Sequence, residues 1–252
     1  MKKSIFAILI VLAFIAVPTF ANGGADSGAD KVYVFACDVA YPPLEFIDEN
    51  GDMVGFDIDL MAAIAEESGF KYEIRNTAWD GIFAGLANGA YDGVISAVTI
   101  TEERAEAMDF SDPYINAGQI LVVRKDYVGG DKLEDFVGKK IGVQQGTTGD
   151  FAVEAVAGIE RHAFDDNQLA IQDLANGNVD AVVCDSTTAI DYVAQNENYA
   201  GKLKIIGEPF TEEYYGIAVQ KGDTELLNLI NEGLAAVKAS GKHEELINKW
   251  MR

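Results

Sequence analysis

Leu86-Ala-Asn-Gly-Ala-Tyr-Asp-Gly-Val94 returns 88 residues later as Leu174-Ala-Asn-Gly-Asn-Val-Asp-Ala-Val182, with six of nine positions identical. Each copy reads as a helix end, a glycine cap, a turn and a short apolar strand, because Gly supplies the left-handed residue that stops a helix. The strands run on to Ser96 and to Asp185. Two αβ units, each ending its strand in a small polar or acidic residue, predict two lobes facing one cleft. Ligands of open α/β sheets bind beyond the carboxyl ends of strands. Leu-Ala-Asn-Gly is also ordinary helix-exit chemistry, and two copies at so long a period make no solenoid.

Outward from this repeat, strands and helices alternate. Lys31–Cys37 is a β run, Tyr41-Pro42-Pro43 blocks both helix and strand, and Glu49-Asn-Gly-Asp52 signals a hairpin turn. Asp57 suits the N-cap of a helix carrying Leu60, Met61 and Ile64 and closed by Gly69; Asp80 suits the cap of the next, with Ile82, Phe83 and Leu86 inward. Strands are expected at Tyr72–Ile74 and Val94–Ile95, a short helix from Thr101, and one strand over 118–123. After the charged, glycine-bearing stretch Asp126–Asp135, a second unit starts at Lys140: strand, helix from Asp150, strand at Arg161, helix ended by Gly177, strand at Val182, helix 189–195. One strand over 214–220 and two amphipathic helices, 226–239 and 244–250, follow. βαβαβ thus occurs twice, which is the α/β class, and the chain crosses between lobes twice, which makes a hinge. Residues 31–120 and 218–252 are assigned to lobe 1 and 121–217 to lobe 2.

The N-terminus reads as an export signal: Lys2 and Lys3, an apolar run Ile5–Val17, then Pro18-Thr19-Phe20-Ala21. The run is shorter than the roughly 20 apolar residues of a spanning helix, so cleavage after Ala21 is expected. Residues 22–30 read as a flexible leader, and the mature chain as periplasmic and monomeric. Without residues 1–21 the chain holds 17 basic and 41 acidic residues, net −24. That balance excludes nucleic acid as a partner, because phosphate contacts need clustered Lys and Arg. Cys37 and Cys184 sit in different lobes and read as free thiols; no zinc-ligand spacing or cofactor motif occurs, and His162 and His243 read as surface residues.

The strand ends gather chemistry suited to an amino-acid zwitterion. Arg104 suits an α-carboxylate, with the backbone at Thr147 and Thr148 beside it. Asp185 suits the α-ammonium, with Ser96 or Thr99. Tyr41 and Trp79 suit a side chain held between rings, and a cationic one gains about 0.5–2 kcal/mol there. Each residue also has a plainer reading: Arg104 paired with Glu102 or Asp109 at the surface, Trp79 in the core, Asp38 and Asp185 in turns. The Gly146-Thr147-Thr148-Gly149 loop lacks the Lys of a phosphate-binding loop.

Asp38-Val-Ala-Tyr-Pro-Pro-Leu-Glu-Phe46, Gly55-Phe-Asp-Ile-Asp-Leu60, Trp79-Asp-Gly-Ile82, Ser96-Ala-Val-Thr-Ile-Thr-Glu-Glu-Arg104, Asp109-Phe-Ser-Asp-Pro-Tyr114 and Gly142-Val-Gln-Gln-Gly-Thr-Thr-Gly149 together resemble the family 3 solute-binding proteins, the receptors of polar amino-acid ABC importers. The resemblance implies a two-lobe Venus-flytrap fold, each lobe a mostly parallel sheet flanked by helices, joined by two hinge strands. It implies no catalysis and a membrane ABC permease as partner. It places Arg104 and Thr148 on the α-carboxylate and Asp185, Ser96 and Thr99 on the α-ammonium. Tyr41 and Trp79 fall on the side chain, and Asp38 and Gln144 on its polar end. Ala97 stands where the family often has Gly or Ser, and Cys184 where some members set a polar residue against the ligand. Asp38, Glu45, the aromatic pair and Glu213-Tyr-Tyr-Gly216 favour arginine or another basic amino acid, with glutamine next. The alternatives are a cyclohexadienyl-type dehydratase on the same scaffold, with Glu45 as acid, or an amino-acid-sensing partner of a signalling receptor.

Overall fold

The computed structural model describes residues 31–251, and the export signal and leader expected at 1–30 lie outside the described residues. The chain starts with β1 (Val32–Cys37), turns through the short strands β2 (Ala40–Tyr41), β3 (Glu45–Ile47) and β4 (Met53–Val54), and enters α1 (Phe56–Ser68). Strand β5 (Lys71–Asn76), α2 (Ile82–Ala87), β6 (Gly93–Val94), α3 (Glu102–Ala107) and β7 (Met108–Phe110) complete the first run. Strands β8 (Ile115–Ala117) and β9 (Gln119–Arg124) lead to the second: β10 (Lys140–Gln144), α4 (Thr148–Glu154), β11 (Glu160–Phe164), α5 (Asn167–Asn176), β12 (Ala181–Asp185), α6 (Ser186–Ile190) and β13 (Leu203–Ile206). The return is β14 (Glu213–Tyr215) and β15 (Ala218–Gln220), followed by α7 (Thr224–Ala239) and α8 (Lys242–Trp250).

Two five-stranded sheets form, ordered β5-β1-β6-β15-β7 and β11-β10-β12-β9-β13. In each, the first three strands are parallel and the fourth is antiparallel to both its neighbours. The repeat supplies the central strand of each sheet, β6 and β12, in equivalent register: Phe35 lies opposite Gly93, and Ile141 opposite Ala181. Its shared residues have shared work. Gly89 and Gly177 take φ values of 73° and 80°, which end the preceding helices. The Asp92 carboxylate accepts the Val34 N–H at 2.8 Å and the Asp180 carboxylate accepts the Lys140 N–H at 2.9 Å, so each ties the start of the adjoining strand.

Both faces of each sheet are covered. Tyr33 and Phe35 of β1 face α1, α7 and α8, while Ala36 meets Ile82, Leu86 and Val98 on the other side. In the second sheet Ile120, Val122 and Val182 meet α5, and Leu121, Val123 and Val183 meet Val153 of α4. Burying one such large side chain contributes about 1.5–3 kcal/mol. Between the sheets, β8 and β14 pair antiparallel as a two-stranded ribbon. The runs expected as single strands, 118–123 and 214–220, are therefore each preceded or interrupted by a change of sheet. Gly118 and Gly216 stand at these changes, where a Cβ would collide with Thr211 and Ile100.

Several local expectations are corrected. Gly55 caps α1, because a Cβ there would overlap the Leu44 carbonyl, and Asp57 is a buried residue inside the helix. Gly81, not Asp80, caps α2. Thr147 caps α4 through its hydroxyl, with Asp150 in the first turn. His243 is half-buried, its ring edge-on to Phe56 and its Nε2 2.7 Å from the Tyr114 carbonyl oxygen. Both cysteines are free and buried; Cys184 packs in the apolar cluster with Ile120, Val182 and Tyr192 rather than facing the cleft. Among the described residues no helix is long and apolar enough to cross a membrane.

Candidate functional site

The turn that follows β6 builds one wall. Ser96 accepts the Asp38 N–H at 3.0 Å and donates to Glu45 Oε1 at 2.8 Å. Ala97 adopts φ 47°, a left-handed conformation that ordinary side chains resist, and its N–H is held by Asp57 Oδ2 at 2.8 Å. Thr101 caps α3 by accepting the Arg104 N–H at 3.1 Å, and the helix turns the Arg104 guanidinium back over the site. Arg104 Nη1 donates to the Thr99 carbonyl at 2.9 Å and Nη2 to the Gly146 carbonyl at 3.4 Å. Its charge lies 5.4 Å from the Trp79 ring and 4.8 Å from that of Phe83. Burial lowers its pKa to about 10, against the pull of Asp185 and Glu213, so it stays charged at neutral pH. It makes no ion pair with Glu102 or Asp109 among the described residues, and Asp109 pairs with Lys221 at 2.8 Å.

The loop after β10 builds the facing wall. Gln144 Nε2 donates to Asp38 Oδ2 at 3.3 Å and to the Asp165 carbonyl at 3.2 Å, and its Oε1 accepts from Asn167 at 3.1 Å. Asp150, buried and ion-paired with Arg161, accepts the Gly146 N–H at 2.9 Å and so fixes the loop. Thr147 donates its hydroxyl to the Gln144 carbonyl at 2.8 Å.

Behind both walls lies a polar hub. Tyr41 donates its hydroxyl to Asp185 Oδ2, and Gln119 Nε2 donates to Asp185 Oδ1 at 2.9 Å. Glu213, on β14, accepts the Thr99 hydroxyl at 2.9 Å and the Thr148 hydroxyl at 2.7 Å on one oxygen, and the Thr211 hydroxyl at 2.8 Å on the other. Gln119 also reaches Thr148 at 3.1 Å. The walls are thus joined by Tyr41 to Asp185, Gln144 to Asp38, Arg104 to Gly146, and Thr99 through Glu213 to Thr148, and the cleft is shut.

Asp38, Tyr41, Trp79, Ser96, Ala97, Thr99, Arg104, Gln144, Thr147, Thr148 and Asp185 line one cavity. All the residues predicted at strand ends are brought together there. Gln119 is not among the residues predicted for the site, and Glu213 enters the sequence reading only through a segment that favours a basic ligand: both lie on the strands of the crossing, and no end-of-strand signal marks them. Glu45 does not line the cavity; it stands behind Ser96. Burial dominates the carboxyl groups and raises Asp38 and Asp185 to about 6 each, partly offset by the hydrogen bonds they accept. Two carboxyls costly to charge face one guanidinium and two aromatic rings. No His, Cys or Lys lines the cavity. Such a set can hold one anionic and more than one cationic group.

The family model described as bacterial extracellular solute-binding proteins, family 3, matches residues 33–252. A probable histidine-binding protein of Neisseria gonorrhoeae is 38% identical over 261 residues, covering 99% of this chain and 96% of that one. An ancestral arginine-binding protein solved with arginine is 46% identical, with a TM-score of 0.83 over 88% of this chain and 98% of that one. The same kind of ancestral protein solved with glutamine is also 46% identical, with a TM-score of 0.82 over 87% and 97%.

Proposed function

This chain belongs to the bacterial extracellular solute-binding proteins of family 3, and from that premise we propose that its cavity captures an L-amino acid with a cationic side chain, arginine foremost, and presents it to a membrane ABC importer. One observation carries the reading: a single guanidinium opposes two carboxyls in one cavity, Asp185 buried and Asp38 half-buried. Arginine brings the complement, one carboxylate and two cations. Arg104 takes the carboxylate as a two-pronged donor. Asp185 takes the α-ammonium, with Ser96 and Thr99 beside it. Tyr41 and Trp79 flank the side chain, while Asp38 and Gln144 receive its far end. Because the Thr148 hydroxyl is held by Glu213, Thr148 serves the ligand carboxylate through its backbone.

Glutamine is the second reading, supported by the ancestral relative solved with it and by the amide of Gln144. It would leave one carboxyl without a cation. The protein acts as an exported monomer, with lobes 31–120 plus 218–252 and 121–217 closing about the β8–β14 ribbon.

The test is a thermal-shift screen of refolded protein, residues 22–252, against the common L-amino acids. A ligand that binds only the native state raises the melting temperature by mass action, about 2.7 kcal/mol of stability at a hundred times its Kd. Arginine is expected to give the largest shift. No shift with any amino acid would refute the receptor reading, and a larger shift with glutamine would transfer the assignment to it.

A further inference from the structure

Two carboxyl groups lie just behind the site and outside the cavity. Glu45 of β3 and Asp57 of α1 are both fully buried. Glu45 Oε1 accepts the Ser96 hydroxyl at 2.8 Å. Asp57 Oδ2 accepts the Ala97 N–H and the Tyr114 hydroxyl, each at 2.8 Å. The remaining oxygens, Glu45 Oε2 and Asp57 Oδ1, meet no donor among the described residues, and the two carboxyls are bonded to adjacent residues of one turn, Ser96 and Ala97. Two neighbouring buried carboxylates repel each other and leave both oxygens unsatisfied, whereas a single proton on one of them removes a charge and supplies the missing donor. Asp57 receives two outside donors, one of them a backbone N–H, and these stabilise its anion. Glu45 receives a single hydroxyl, and is the better place for the proton.

The surroundings agree. From β1 the pair faces Cys37 and Asp38, and beside Asp57 stands Tyr114. All three are acids. From α8 the only titratable ring is His243, bonded to the Tyr114 carbonyl and kept towards its neutral form by burial. With no cation bonded to it among the described residues, burial and Asp57 push Glu45 well above the carboxylate range, while Asp57 rises to about 6.

We propose that Glu45 is a carboxylic acid at neutral pH, that it donates its proton to Asp57, and that this acid–carboxylate pair sets the Ser96–Ala97 turn from which the ligand-facing groups project. The pair acts on the site at two atoms. Glu45 orients the Ser96 hydroxyl, which in turn accepts the Asp38 N–H. Asp57 holds the N–H of Ala97 in a left-handed conformation that alanine does not favour by itself. Both are positioning residues. Only the binding readout rests on the amino-acid-receptor reading; the protonation state stands apart from it.

The variants E45Q and E45M separate the possibilities. A glutamine amide reproduces the acid, with its oxygen accepting from Ser96 and its N–H donating to Asp57. Methionine does neither: it leaves Asp57 Oδ1 without a donor and the Ser96 hydroxyl without its acceptor. Infrared spectra at neutral pH should show a buried protonated carboxyl band in the wild type that is lost in E45Q. Arginine affinity should stay within about twofold in E45Q and fall at least about tenfold in E45M. Without ligand, wild-type stability should decline as pH rises above the ordinary glutamate value of 4.5, because the unfolded chain ionises Glu45 and the folded one does not, and E45Q should show less of this decline. A tenfold loss of affinity in E45Q, or a wild type without the band, would overturn the proposal. If E45M does not fold, the band and E45Q still decide. If the wild type binds no amino acid, the receptor reading falls, while the band and the ligand-free pH profile still test the pair.

Discussion

Asp38→Asn removes one negative charge while keeping the shape of the side chain. Asp38 is raised to about 6 by burial, so at pH 7 roughly nine-tenths of it is already ionised. No proton has to leave when a cationic side chain arrives, and the variant exchanges a charge-assisted hydrogen bond for a neutral one. Bonds to charged groups contribute about 1.5–3 kcal/mol and neutral ones about 0.5–1.5. The difference, about 1.5 kcal/mol, is roughly tenfold in affinity. The 3.3 Å bond from Gln144 survives, since the Asn oxygen accepts it equally well. Titration calorimetry of refolded protein should therefore show arginine about tenfold weaker in D38N at pH 7, and glutamine changed less than about threefold. At pH 5, where wild-type Asp38 is itself mostly protonated, the arginine gap should narrow to less than about threefold. An unchanged arginine affinity at pH 7, or an equal loss for glutamine, would refute the placement of Asp38 against the ligand cation.

Arg104→Ala should weaken every amino acid by at least about a hundredfold, because removing one partner of a buried pair costs about 3–5 kcal/mol; calorimetry that returns wild-type affinity would remove Arg104 from the carboxylate. Gly149→Ala places a Cβ 2.5 Å from Gln119 Oε1 and should displace the amide that holds Asp185, Thr148 and Glu213, lowering affinity about tenfold; an equal further loss from G149A in a Q119A background would show that Gln119 is not the route. Asp38 and Asp185, both raised to about 6, contribute stability that is complete below their unfolded value of 3.8 and is lost as pH rises through 6. The ligand-free protein should thus melt lower at pH 8 than at pH 5. Binding of arginine near pH 6 should release protons, seen as a buffer-dependent enthalpy, and a buffer-independent enthalpy would contradict the ionised carboxyl pair.

Much of this was legible in the sequence because local chemistry and fold agree. Gly69, Gly89 and Gly177 stop helices wherever they are placed, and Thr101 caps α3 as its residue type suggests. Residues at strand ends in an α/β chain converge by topology, which is why eleven predicted positions share one cavity. What was not legible depends on contacts across long stretches of chain. Asp57 reads as a helix cap, yet the close approach of Gly55 to Leu44 starts the helix earlier and buries the carboxyl under Ala97. Cys184 and Asp185 are neighbours, and only the sheet decides which of them faces the cleft. Glu213 finds its partners Thr99 and Thr148 on opposite walls, and no sequence spacing encodes a three-way meeting at a crossing.

The position of β15 between β6 and β7 has a bearing on the order in which the chain can be completed. The second sheet is assembled wholly from residues 119–206, so a growing or emerging polypeptide holds all its strands well before the end. The first sheet is different. Its edge strand β7 has β15 as its neighbour in the sheet, and β15 comes more than a hundred residues later, at 218–220. Until then residues 31–110 keep one sheet margin open, and α7 and α8, which cover Phe35 and Leu60, do not yet exist. The lobe that begins first is the one that finishes last. Under the export proposed above, N-terminus foremost, that arrangement delays closure of the leading half until nearly all of the chain has passed through.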